Sequence, residues 1–296
     1  MKPPGWPQLL LALAVVAVWG SNFVVIKLAL GHLPPLLFAT LRFLFAALPM
    51  VFFLPRPAVR WRNLAAYGVL IGVGQFGVIY VAINGLIAPG LASLVVQAQV
   101  FFTIGLAVWL TAERVQPVQW AALALGVAGI GVIAAHADTS TTVPGVLLVL
   151  VAAFSWAAGN IVQRRSPGVN MLAYVVWASL FAVPPLLALT LLFEGPTQIG
   201  AALASASLGT WGAVVWQSVG NTMFGYAAWG WLLARYPAAP IAPLSLLVPV
   251  FGMGTAAWIL AEPLPLWKLE AATLVIGGLA LNLLWPRVAR RFRPAL

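Results

Sequence analysis

Apolar residues run through this chain in long stretches, interrupted at short intervals by glycine, proline and basic residues. A helix rises about 1.5 Å per residue, so about 20 apolar residues cross the hydrocarbon core of a bilayer. Ten stretches meet that length: 9–30, 35–54, 63–86, 90–111, 117–135, 144–163, 170–193, 208–233, 238–260 and 266–285. Turn and breaker sequences separate them, among them Gly31-His32-Leu33-Pro34, Pro55-Arg56-Pro57, Ala88-Pro89-Gly90 and Glu194-Gly195-Pro196. The pattern predicts an all-α integral membrane protein with ten transmembrane helices and no soluble domain between them. The first stretch is long enough to span and has no small-residue cleavage site after it, so it is expected to be a helix and not a cleaved signal.

Polar insertions recur at matching places. Trp19-Gly20-Ser21-Asn22 interrupts the first stretch, and Trp156-Ala157-Ala158-Gly159 interrupts the sixth. Arg164 follows Trp156 at the same distance as Lys27 follows Trp19. Phe102-Thr103-Ile104-Gly105, with Trp109, Ala112 and Glu113, returns as Phe251-Gly252-Met253-Gly254, with Trp258, Ala261 and Glu262. Two related halves are expected, residues 1–138 and 139–296, each of five spans. An odd number of spans per half turns the second half over, so the halves are inverted repeats.

Composition agrees with a lipid environment. Hydrophobic residues make up 63% and charged residues 7%, far below the roughly one quarter that a soluble surface uses. The net charge of +10 sits in short loops, which fits retention of basic residues on the cytoplasmic side and not nucleic-acid binding. With the N-terminus inside, every Lys and Arg falls on an inside loop or tail except Lys27 and Lys268, toward the outer ends, and Arg42, within the second span. Both termini are therefore expected in the cytoplasm, with the chain in a bacterial inner membrane as a monomer. There are no cysteines and two histidines, so neither disulfides nor a His-rich metal site can form, and no cofactor is expected. No carboxylate lies mid-membrane and no phosphate-binding loop is present, which argues against a buried proton relay and against ATP drive.

The Trp19-Gly20-Ser21-Asn22-Phe23 start, Leu41-Arg42-Phe43 in the second span, and Ala112-Glu113 and Ala261-Glu262 closing the fourth and ninth resemble EamA-type members of the drug/metabolite transporter superfamily. The duplicated five-span plan resembles them too, and the tryptophan-rich spans are similar to the aromatic amino acid and paraquat exporter branch. The resemblance implies two five-helix repeats around a central cavity, with the fifth and tenth helices packed together away from it. Ala157-Ala158-Gly159 departs from the Gly20-Ser21-Asn22 pattern, so equal roles for the two copies do not follow.

Polar side chains at membrane depth are costly unless they face protein or water. Asn22, Gln75, Tyr80, Gln97, Gln99, Asn160, Gln217 and Asn221 fall within spans 1, 3, 4, 6 and 8. They are candidates for a shared substrate site, with interhelical hydrogen bonding as the alternative. Trp19, Trp156, Trp177 and Trp216 lie nearer mid-span than the tryptophans at span ends, and their faces would hold apolar groups or an ammonium. Gln217 and Asn221, four apart, share a face. Arg42 could meet a substrate carboxylate, but a structural bond to helix-end carbonyls is the favoured reading. Gly68 and Gly72, also four apart, fit close helix packing.

These features point to a secondary carrier that exports amino acids or related small amphipathic metabolites by alternating access, with cationic or aromatic xenobiotics as further candidates. A passive channel stays open as an alternative. An intramembrane enzyme is disfavoured because Ser21, Ser93, Ser155 and Ser245 have no histidine or carboxylate at hand.

Overall fold

The computed structural model describes residues 4–111, 116–166, 168–236 and 238–291. Ala112 and Glu113, the closing motif of span 4, and the loop residue Arg114 lie outside the described residues. The spans are Trp6–Ala29, Pro35–Phe52, Trp61–Ile83, Pro89–Leu110, Pro117–Ala135, Val143–Arg164, Met171–Phe193, Leu208–Leu233, Ala242–Leu260 and Leu266–Trp285, numbered 1 to 10 below. Proline sits in the first turn of spans 2, 4 and 5, where its missing N–H costs nothing. Thr142, Asn170 and Ser207 cap spans 6, 7 and 8 through their side-chain oxygens. The ten-residue helix Gly195–Ala204 precedes span 8 at an angle of 106°, too short to cross and not anticipated from the pattern.

The two rims of the bundle are tied differently. At the distal rim, away from the N-terminus, Thr142 at the start of span 6 donates its amide and hydroxyl to the Leu86 carbonyl after span 3, at 2.8 and 2.9 Å. His136, after span 5, stacks on Trp267 of span 10 with centroids 4.9 Å apart. At the proximal rim, Asn63 donates to the Val162 carbonyl and accepts from the Tyr174 hydroxyl, at 2.9 and 2.6 Å.

Small residues set the close crossings. Gly68 meets the Ala178 carbonyl and Gly72 meets Ala182, so span 3 lies against span 7 without room for a Cβ. Gly129 against Val275 and Gly278 against the Ala122 carbonyl bring spans 5 and 10 together. An apolar groove of about 530 Å³, lined by Phe101, Phe102, Leu123, Ile130, Leu150 and Phe154 among others, separates span 5 from spans 4 and 6.

Spans 3 and 8 share an unusual feature. Each widens into a π-helical segment, Leu70–Gly77 in one and Trp216–Phe224 in the other. Such segments are rare and concentrate where function needs a helix to present its side chains differently. They occupy related positions in the two halves. Val73-Gly74-Gln75, with Tyr80 five residues on, matches Val219-Gly220-Asn221, with Tyr226 five residues on.

Candidate functional site

The two widened segments face each other across Arg42. This side chain is 1% exposed, and span 2 inserts it well inside the bundle. Its Nε and Nη2 donate to Thr222 Oγ1 at 3.2 and 3.0 Å, and its Nη1 donates to Tyr80 Oη at 3.0 Å and Gln217 Oε1 at 2.9 Å. Arg42 Cζ lies over the Phe76 ring, 3.5 Å from its centroid, a cation–π contact in a dry setting. Ser218 Oγ bonds the Arg42 carbonyl at 3.0 Å. The reading of Arg42 as bonded to helix-end carbonyls is therefore corrected: its partners are side chains from spans 3 and 8, and not backbone carbonyls.

Gln217 ties this group to the first span. Its Nε2 donates to Asn22 Oδ1 at 2.7 Å, and its Oε1 receives Arg42, the Tyr80 hydroxyl at 3.0 Å and Asn221 Nδ2 at 3.3 Å. An amide oxygen has two lone pairs, so three donors oversubscribe it. Thr222 Oγ1 donates to the Gln217 carbonyl at 2.8 Å while accepting twice from Arg42, so it too is fully used. That bond spans five residues, as the π geometry allows. The centre is rich in donors and poor in acceptors, and every acceptor there is neutral.

The second half has no equivalent of Arg42. Leu44-Phe45-Ala46 recurs as Leu180-Phe181-Ala182, which puts Ala178 in its place. Between the two positions lies a space of about 10 Å³, also bordered by Tyr67, Thr222 and Tyr226, with room for one water. Around Arg42, side chains fill what the resemblance describes as a central cavity.

Of the twelve residues singled out from sequence, the structure gathers Asn22, Tyr80, Gln217 and Asn221 around Arg42. Trp19 borders them, donating Nε1 to the Asn221 carbonyl at 3.3 Å and packing on Tyr226 and Trp229 with centroids 5.9 and 5.4 Å apart. Gly225 makes room for that indole. A second, smaller patch joins Asn160 Nδ2 to Gln99 Oε1 at 3.1 Å, with Thr103 on Gln99 and Trp156 one turn before Asn160. Gln97 is buried in the 3-10 turn Val96–Ala98. Gln75, 4% exposed, holds a buried Oε1 with no hydrogen-bond partner. Trp177 stands apart: its Nε1 donates to the Leu54 carbonyl at 3.0 Å and its ring packs on Trp61, at the proximal rim. Trp216 also stands apart. It is 37% exposed on the side of span 8 opposite Gln217, Ser218, Asn221 and Thr222.

Acids appear only at the edge. Glu194 accepts from the amides of Leu36 and Leu37 at 2.6 and 2.8 Å, capping span 2 at its positive end. Burial pushes its carboxyl above the usual range, and the two amides pull it partly back. Glu262 follows Ala261, which turns with φ 52° in the left-handed region, and binds Lys268 at 2.9 Å and the Gly90 amide at 3.1 Å. This is the one ion pair among the described residues, and both partners are largely buried, at 4% and 9% exposure.

Arg42, Thr222 and Phe76 were not chosen from sequence. A usable signal was present: Arg42 is a charge inside a span of a chain with no acid at that depth.

The sequence profile of the EamA-like transporter family matches residues 6–135 and again residues 143–284. The chain is 43% identical to a probable amino-acid metabolite efflux pump of Salmonella typhimurium, over 96% of this chain and 97% of that one. It is 40% identical to the protein of the same description in Escherichia coli, over 92% and 93%. A solved structure titled "Crystal structure of protein" has the same fold, with TM-score 0.64 and 20% identity over 96% of this chain and 98% of that one.

Proposed function

Because the chain belongs to the EamA-like transporter family, we propose that it is a secondary carrier exporting amino acids or related small amphipathic metabolites from the cytoplasm by alternating access. It is a multi-pass inner membrane transport protein and not an enzyme. The two similar efflux pumps support the substrate class. The observation that carries the reading is the hydrogen-bonded group formed by Asn22, Arg42 and Tyr80 of one half with Gln217 and Thr222 of the other. A site built across two repeats changes its access when the repeats rock against each other.

The distribution of basic residues supports placing both termini, and hence the proximal rim, in the cytoplasm. The ties of Glu194 and Glu262 would then close the outer side. A monomer contains every element of the site. We place the domain boundary between residues 138 and 139, a reading supported by profile matches that end at 135 and resume at 143.

Counterflow tests the carrier. Proteoliposomes preloaded with an unlabelled amino acid should accumulate the labelled one faster than empty ones, because a carrier returns loaded. Equal rates with and without preload would favour the channel.

A further inference from the structure

A guanidinium that is 1% exposed has been stripped of water, and such a charge normally keeps an anion beside it. Among the described residues the carboxylates hydrogen-bonded to other residues are Asp138, Glu194 and Glu262, all at the distal edge. None bonds Arg42. Six residues of helix, roughly 9 Å, separate Leu36, the position that Glu194 caps, from Arg42. The partners that Arg42 does have are weak substitutes for a carboxylate. Tyr80 Oη is a phenol, Thr222 Oγ1 is a neutral hydroxyl whose two lone pairs both face the guanidinium, and Gln217 Oε1 is shared by three donors.

Resting on the exporter reading, we propose that the missing anion is the substrate's own: the transported molecule carries a carboxylate, and that carboxylate replaces Gln217 Oε1 and Tyr80 Oη on Arg42. A planar guanidinium presents two parallel N–H donors, which match the two carboxylate oxygens. The exchange relieves the oversubscribed amide, since Tyr80 and Asn221 then share it without Arg42. It also loosens the Asn22–Gln217–Arg42 chain that joins span 1 to spans 2 and 8, so occupancy and movement of the halves are coupled at one residue. The same charge repels a cationic cargo. Zwitterionic and anionic metabolites are therefore substrates, and permanent cations are not.

The wild-type protein in proteoliposomes decides this without a mutation. Counterflow of a labelled neutral amino acid is competed by unlabelled amino acid, by its amide, by the amine lacking the carboxylate, and by a quaternary dication. The parent acid should compete at concentrations about tenfold lower than the amide or amine, as loss of one charge-assisted pair implies, and the dication should not compete. Arg42→Gln, checked for folding by gel filtration, should lose that discrimination, and Arg42→Lys should keep part of it. Equal competition by acid and amide in a wild-type protein that shows counterflow overturns the inference and leaves the exporter reading standing. Absence of counterflow for every amino acid overturns both. Discrimination retained in folded Arg42→Gln also overturns the inference.

Discussion

At the distal rim, anions sit on cations and on helix N-termini: Glu262 holds Lys268 and the Gly90 amide, and Glu194 holds the amides of Leu36 and Leu37. About two turns deeper a cation sits on neutral oxygens, with Tyr80, Gln217 and Thr222 around Arg42. Both arrangements join the two halves, because Glu194 and Glu262 come from the second and their partners Leu36, Leu37 and Gly90 from the first. Only the rim supplies charge of both signs. A group satisfied by its own chain has no reason to rearrange for a ligand, whereas a cation short of an anion does. On the proposed reading, closure falls to the rim and recognition to the centre.

The comparison breaks most sharply if the centre is given the rim's chemistry. Gln217→Glu places a carboxylate against Arg42 and makes an internal ion pair. The variant should be at least as thermally stable as wild type in detergent, while counterflow falls by tenfold or more because the guanidinium is already occupied. Transport at the wild-type rate would mean that Arg42 does not receive the cargo.

Next in size is the reverse operation at the rim. Glu262→Gln leaves Lys268 buried without its anion, and breaking a buried pair costs about 3 kcal/mol. Lower melting temperature is expected, with the preference for acid over amide intact and the pH dependence of transport unchanged. A lost preference would erase the division between closing and recognising.

The smallest effect is expected at Glu194. Its folded-state carboxyl is raised, so the folded protein binds that proton more tightly than the unfolded chain does. The stabilisation is complete below the unfolded value and lost as pH rises through the folded value. Wild type should therefore melt at a higher temperature as pH falls through the carboxylate range, and Glu194→Gln should remove that increment. The group is half-exposed at the rim, so solvent screening keeps the effect under about 1 kcal/mol. A pH profile identical in both proteins would show that burial of this carboxyl has no thermodynamic weight.

Much of the architecture was legible because membranes simplify the problem. A backbone in lipid must satisfy its own hydrogen bonds, so an apolar run of spanning length has one outcome: among the described residues nine of the ten runs gave helices long and apolar enough to span, and Leu208–Leu233 makes the tenth when taken with the bent helix before it. Gly195–Ala204 escaped because a ten-residue helix along a rim leaves no run of spanning length. The pair Gly68 and Gly72 could be read as a contact because small residues four apart on a helix have little other use, and both meet span 7. Spacing also put Gln217 and Asn221 on one inward face, where they are buried and bonded. The same reasoning did not tell Trp19 from Trp177 and Trp216. All three lie within spans, but the direction an indole points depends on which neighbour its face meets.

Repetition, composition and loop charge are properties of the chain itself, and the sequence alone determined the membrane class, the number of spans and the duplicated plan. Tertiary structure decided which groups surround Arg42. A single arginine in a span is compatible with a brace to carbonyls or with a site. Its acceptors come from Tyr80, Gln217 and Thr222, the last two about 180 residues away in the other half. The π-helical segments Leu70–Gly77 and Trp216–Phe224 carry Phe76, Gln217 and Thr222 to it. Helical periodicity cannot carry that information, because it fixes which residues share a face and leaves open which faces meet.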